Sequence, residues 1–199
     1  MKIRYNAPVV LSYAVAAAVV MVIDQIAGAQ FAERNFAIPG SLAGSAPLGY
    51  LRLITHVLGH ANWAHLLANF ALILLIGPIL EEKYGSWPLL LMMAITALAT
   101  GGLNVLFLST GLMGASGIVF MMILLSSFTN IRSGEIPLTF VLVVLMYLTR
   151  EVFAAVTEDS ISQFAHIAGG ICGSLFGFAI TRAAPQLVQP AEPTDHLEE

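Results

Sequence analysis

Six apolar runs constrain this chain more than any other feature of it. They cover residues 7–23, 63–80, 88–108, 116–128, 136–156 and 163–181. A helix that crosses a bilayer needs about 20 apolar residues, and every run except the fourth is near that length. Only 10% of the 199 residues are charged and 58% are hydrophobic, whereas a soluble domain averages about 25% charged. A core of this size could not hide so much apolar surface from water. The expected class is an all-α integral membrane protein of six transmembrane helices. The net charge of -4 offers no basic footprint for nucleic acid. The single cysteine, Cys172, excludes an internal disulfide and reads as a buried small hydrophobe.

The first run is followed by Asp24 and by Ala27-Gly28-Ala29, which resembles a signal-peptidase site. The run is longer than a signal core of about 7–15 residues, so an uncleaved first span reaching about residue 29 is expected, with a cleaved signal peptide as the rival. Asp24 caps or lines the outer end of that span. Residues 30–62 form a long connection whose scattered apolar side chains suggest a loop dipping into the membrane interface. A short helix is expected there over 52–60. The tail beyond 182 has three prolines and several acids and reads as disordered.

The fourth run has a separate consequence. Thirteen helical residues (116–128) reach about 20 Å, against a hydrocarbon core of about 30 Å. Such a helix does not cross from face to face. Ser116 at its start therefore lies below the membrane surface, shielded by other helices and reached by water from one side. Six spans put both termini on one side together with Lys2, Arg4, Lys83, Arg132 and Arg182, five of the eight basic residues. The positive-inside rule makes that side cytoplasmic and the Ser116 end outer.

Three groups of polar residues interrupt the apolar runs. Ser116 sits in Gly114-Ala115-Ser116-Gly117. A serine at a helix start is ordinarily a cap, but it also presents its hydroxyl beside unpaired backbone N–H groups. His65 and Asn69 are four residues apart on one helical face. They read either as bonds between helices or as donors aimed at a developing oxyanion. His166, Gly169, Gly173 and Gly177 recur at three- and four-residue spacing, a glycine face that lets another helix approach closely. If that face packs on the fourth helix, the imidazole reaches the serine and supplies a base. His56 and His60 are also four apart, but no carboxylate or cysteine joins them, and no metal site is expected.

Taken together, the chain resembles the rhomboid family of intramembrane serine proteases. The resemblance rests on His65-Leu66-Leu67-Ala68-Asn69 in the second span, Gly114-Ala115-Ser116-Gly117 opening the fourth, and Ala165-His166-Ile167-Ala168-Gly169 in the sixth. It spans roughly residues 8–182, taken as one protease domain (1–182) followed by a cytoplasmic tail (183–199). It implies a six-helix bundle with a short central fourth helix, Ser116 as nucleophile and His166 as base. It further implies an oxyanion hole of His65, Asn69 and the Ser116 backbone N–H, with Gly114, Phe120, Gly169 and Gly173 as packing support and no cofactor. The implied partners are transmembrane protein substrates and the bilayer, in a bacterial plasma membrane. The chain departs from the family pattern at Leu51-Arg52, where a Trp-Arg pair is frequent, and at Phe120, where tyrosine is frequent. A non-enzymatic relative that escorts membrane proteins would keep the fold while losing Ser116 or His166. A transporter would need repeat symmetry and a charged pathway, which the sequence lacks.

Overall fold

The computed structural model describes residues 5–28, 30–39, 47–108, 111–130 and 167–176, with Leu138, Val141, Leu142, Leu145, Met146, Thr149 and Ala179. Helix α1 spans Pro8–Ala27. Proline suits a helix's first turn because its missing N–H has no intrahelical partner there. The next two amides do need acceptors, and one carboxylate serves both. Val9 donates to Glu81 Oε1 at 2.9 Å and Val10 to Glu81 Oε2 at 3.0 Å. Ser86 Oγ donates to the same carboxylate at 2.6 Å. A negative group at a helix N-terminus is favoured by the helix dipole as well. Glu81 is thus a buried hub joining α1 to helices α4 (Trp63–Tyr84) and α5 (Ser86–Phe107).

Helix α1 ends at Ala27, two residues before the expected limit, because Gly28 turns the chain at φ +83°. The connection that follows is largely structured. It carries α2 (Phe31–Phe36), α3 (Pro47–Thr55) and a 3-10 turn (His56–Leu58). The short helix expected over 52–60 therefore begins five residues earlier, with proline at its first position, and tightens to 3-10 at His56. Asp24, buried at the end of α1, accepts the Ala32 N–H at 2.8 Å and caps α2. Arg52 donates to the carbonyls of Ala37 and Arg34, so its guanidinium anchors α3 to the end of α2 although Leu51 beside it is exposed. The connection dips into the bundle at Val57, whose carbonyl accepts the Tyr13 hydroxyl at 2.8 Å.

Helix α4 starts where Asn62 caps it, its side chain accepting the His65 N–H at 2.9 Å. It runs four residues past the expected end at Leu80, to Gly85 at φ +87°. Helix α5 begins two residues before the expected Pro88. Helix α6 spans Ser116–Asn130, opening at the expected residue. A further apolar helix, α7, spans Ile167–Phe176. Among the described residues three helices, α1, α4 and α5, are long and apolar enough to cross a membrane. Their outward side chains, among them Val15, Leu67, Leu75, Ile79, Leu98 and Leu106, are exposed large hydrophobics. Water would penalise that surface, whereas lipid matches it. Leu138, Val141, Leu142, Leu145 and Met146, which fall within the expected fifth span, are helical and exposed.

The core lies where α1, α4, α5 and α6 meet. Ile118, Met121 and Leu125 of α6 pack with Val10, Ala17, Ile73, Leu80 and Met93. Six successive residues of α6, from Ile118 to Ile123, are at most 7% exposed, so this helix faces protein rather than lipid on all sides of two turns. Among helices in lipid the driving force is packing and polar bonding, since the tails are as apolar as leucine. That gives the Glu81 hub and the close fit of α6 their structural weight.

Candidate active site

The segment carrying three histidines wraps the turn that precedes α6. Ile38 and Leu112 form an antiparallel bridge, N–H to carbonyl in both directions at 2.9 and 3.2 Å, and tie that turn to the end of α2. The His56 carbonyl accepts the Gly114 N–H at 3.0 Å. His60 Nε2 accepts the Ala115 N–H at 3.3 Å. The His65 ring lies against Gly114. A Cβ at Gly114 would stand 2.8 Å from His65 Cε1, and the residue holds φ +135°, so only glycine satisfies both the space and the backbone.

Ser116 is the first residue of α6 and is half-buried. The Ala115 carbonyl accepts the Val119 N–H at 3.0 Å, which starts the helical ladder. The Ser116 N–H is then one of the first-turn amides that have no intrahelical acceptor. The sequence therefore sets a hydroxyl and a backbone donor with no intrahelical acceptor at one helix start.

Asn69 stands one turn beyond His65 on α4, which packs against α6. It is 6% exposed, and its Nδ2 has no hydrogen-bond partner among the described residues. An unsatisfied buried donor costs about 1–3 kcal/mol. Such orphans call for an explanation, and an absent ligand is one. Donors from His65, Asn69 and the start of α6 suit an oxygen that acquires negative charge.

Helix α7 lies on α6 through its glycines. A Cβ on Gly169 would fall on the backbone carbonyl of Gly117, and one on Gly173 would fall on that of Met121. Two backbones meet here with no side chain between them, and the contact begins one residue past Ser116. His166 and Gly177, the remaining members of the expected face, lie outside the described residues, as does the tail 183–199. Phe120 is buried in α6.

His56 and His60 take up structural bonds that their spacing alone did not reveal. His56 Nδ1 meets the Arg52 carbonyl at 3.1 Å, and its Nε2 meets Thr100 Oγ1 at 3.4 Å. Burial pushes both imidazoles down to about 4, and for His60 the neighbouring His65 adds to the effect. Both rings are neutral at pH 7, as an acceptor nitrogen on His60 requires. A cavity of about 510 Å³ opens beside the turn, lined by Asp24, Glu33, His60 and Met113 among others. Its carboxylates suit water at the turn leading to Ser116.

A family model described as the Rhomboid domain matches residues 47–183. The chain is also 25% identical over 130 residues to Rhomboid protease GlpG of Haemophilus influenzae, covering 64% of this chain and 68% of that protein. The family match runs from the first residue of α3 through α7. Helices α1 and α2 precede it.

Proposed function

The chain belongs to the rhomboid family, and from that premise we propose that it is an intramembrane serine endopeptidase that cuts transmembrane segments of other membrane proteins near the outer face of the bilayer. The observation that carries the reading is the glycine contact of α7 on α6. It brings the segment that follows His166 against the helix that Ser116 opens. The similarity to a protein named as a rhomboid protease supports the reaction class.

In this reading His166 takes the proton of the Ser116 hydroxyl as the oxygen attacks a peptide carbonyl. The oxyanion is received by Asn69, His65 and the Ser116 backbone N–H. Each preorganised donor of this kind contributes about 10²–10³ in rate. His166 then protonates the leaving amine, and water resolves the acyl-enzyme. The two residues act as a dyad. Burial of the site below the membrane surface restricts substrates to chains that can unwind locally, so helix-breaking or small residues at the cut site favour cleavage.

The test uses purified protein and a panel of single-span substrates in liposomes. Ser116→Ala and His166→Ala each abolish cleavage while the protein stays folded. A serine-directed fluorophosphonate labels the wild type and not Ser116→Ala. Substantial proteolysis remaining in either variant would assign the chemistry elsewhere.

A further inference from the structure

His60 has no part in the chemistry assigned above, yet it touches both halves of the site. It lies in the loop before α4 and is 1% exposed. Its Nε2 accepts the Ala115 N–H at 3.3 Å, one residue before the proposed nucleophile. Its Nδ1 faces the Leu58 carbonyl at 3.4 Å. A donor at one nitrogen and a carbonyl at the other assign a single tautomer, with the proton on Nδ1 and the lone pair on Nε2. The same ring meets the His65 ring edge-to-face, with centroids 5.0 Å apart and planes at 71°. On α4 it also meets Phe70, at 5.7 Å and 62°.

We propose that His60 is a positioning residue that sets the spacing between the Ser116 hydroxyl and the His65 donor. The proposal rests on the roles given to Ser116 and His65 above. One ring fixes the turn by its acceptor and the oxyanion imidazole by its edge, and it contacts no reacting atom. The His56 carbonyl also holds Gly114, and Phe70 packs on the His60 ring with centroids 5.7 Å apart. A misplacement of about 1 Å between reacting groups costs on the order of 10²-fold in rate, so a ring that locks this spacing has a kinetic consequence separable from folding.

The neutral form is the only one that fits. A proton on Nε2 would face the Ala115 N–H and place a cation against His65. Among the described residues, the other charged or titratable groups near His60 include Asp24 from α1 and Glu33 from α2, which line the same cavity, and His56 four residues earlier.

The experiment compares full-length wild type, His60→Leu and His60→Gln on one single-span substrate. It measures kcat, KM, thermal unfolding and the rate of fluorophosphonate labelling. Leucine fills the space without an acceptor, whereas glutamine restores an oxygen acceptor at the reach of Nε2. His60→Leu lowers kcat by about 10- to 100-fold with KM nearly unchanged, and labelling slows in parallel. His60→Gln recovers most of that loss. The proposal is overturned if His60→Leu keeps wild-type kcat, if the loss appears in KM alone, or if His60→Gln is as slow as His60→Leu while equally folded. Should His60→Leu fail to fold, His60→Gln alone decides. A folded Gln variant within about tenfold of wild type supports the acceptor role, and a slower one refutes it. Wild-type cleavage that survives Ser116→Ala overturns the nucleophile assignment itself, a result separate from anything the His60 series reports.

Discussion

A buried side-chain amide whose nitrogen goes unbonded is a standing cost, and among the described residues Asn69 finds no partner for its Nδ2 at 6% exposure. Removing such a group from a packing role should relieve the unpaired donor and leave function intact. Removing it from an oxyanion hole should slow the chemical step. Asn69→Ala is expected to lower kcat by about 10²-fold, or roughly 2.7 kcal/mol, with KM little changed, because the donor meets full charge only in the transition state. Fluorophosphonate should still label the variant, more slowly. Wild-type turnover in Asn69→Ala would make the residue a packing element and withdraw its role as donor. At this scale the pairing of His65 with Asn69 was legible, because four-residue spacing places two polar side chains on one helical face. The unbonded nitrogen was not legible, since it depends on which neighbours surround the amide. His56 and His60 show the same limit. Their four-residue spacing suggested only a metal pair to be set aside, while their bonds run to Thr100 and Ala115, 44 and 55 residues away.

Between helices, the contact of α7 with α6 can be broken by a single methyl group. A Cβ at Gly169 would land on the Gly117 backbone, and neither backbone can yield as a flexible side chain would. Gly169→Ala is therefore expected to destabilise the protein by about 1–3 kcal/mol and to suppress cleavage by moving the segment behind Ser116. Gly102 on α5 is the control, because a Cβ there meets nothing within 4 Å. Gly102→Ala should leave unfolding and turnover unchanged or raise stability slightly. Equal effects of the two substitutions, measured by thermal unfolding in detergent, would mean that close approach is not what Gly169 provides. The glycine face was readable from spacing, and so were the long apolar helices, since lipid demands about 20 residues whatever the neighbours are. The interior of the first connection was only partly readable. Helix α2 starts where the distant Asp24 carboxylate caps it. The role of Glu81 was not readable, because nothing local shows that its carboxylate receives two amides from residues 71 and 72 positions earlier.

The molecule as a whole has two ends, and its bonds say which residues share each. Val9, Val10, Glu81 and Ser86 meet at one end. Asp24 meets Ala32 toward the other, where the bridge of Ile38 with Leu112 also ties the first connection to the turn before Ser116. Lys83 lies at the first end, while Arg34 and Arg52 belong to the connection at the second. By sequence Lys2 and Arg4 precede α1 at the first end. If the six runs alternate in direction, Arg132 and Arg182 join them and Arg150 falls opposite, giving five of the eight basic residues to the side of the termini. In that case the positive-inside rule predicts cytoplasmic termini and a Ser116 end that opens outward. Helix α1 belongs to this arrangement, since Val10, Ala17 and Met21 are core residues. Losing it as a signal peptide would expose that core and strip Glu81 of both backbone partners. A fluorescent reporter that matures only in the cytoplasm should therefore glow when fused after residue 182. A phosphatase active only outside should work when inserted within residues 30–45, and the mature protein should keep residues before 30. The reverse reporter pattern would turn Ser116 toward the cytoplasm and sink the proposal of cleavage near the outer face. A mature N-terminus near Gln30 would show instead that the bundle forms without α1, and that the Glu81 cap serves only the precursor.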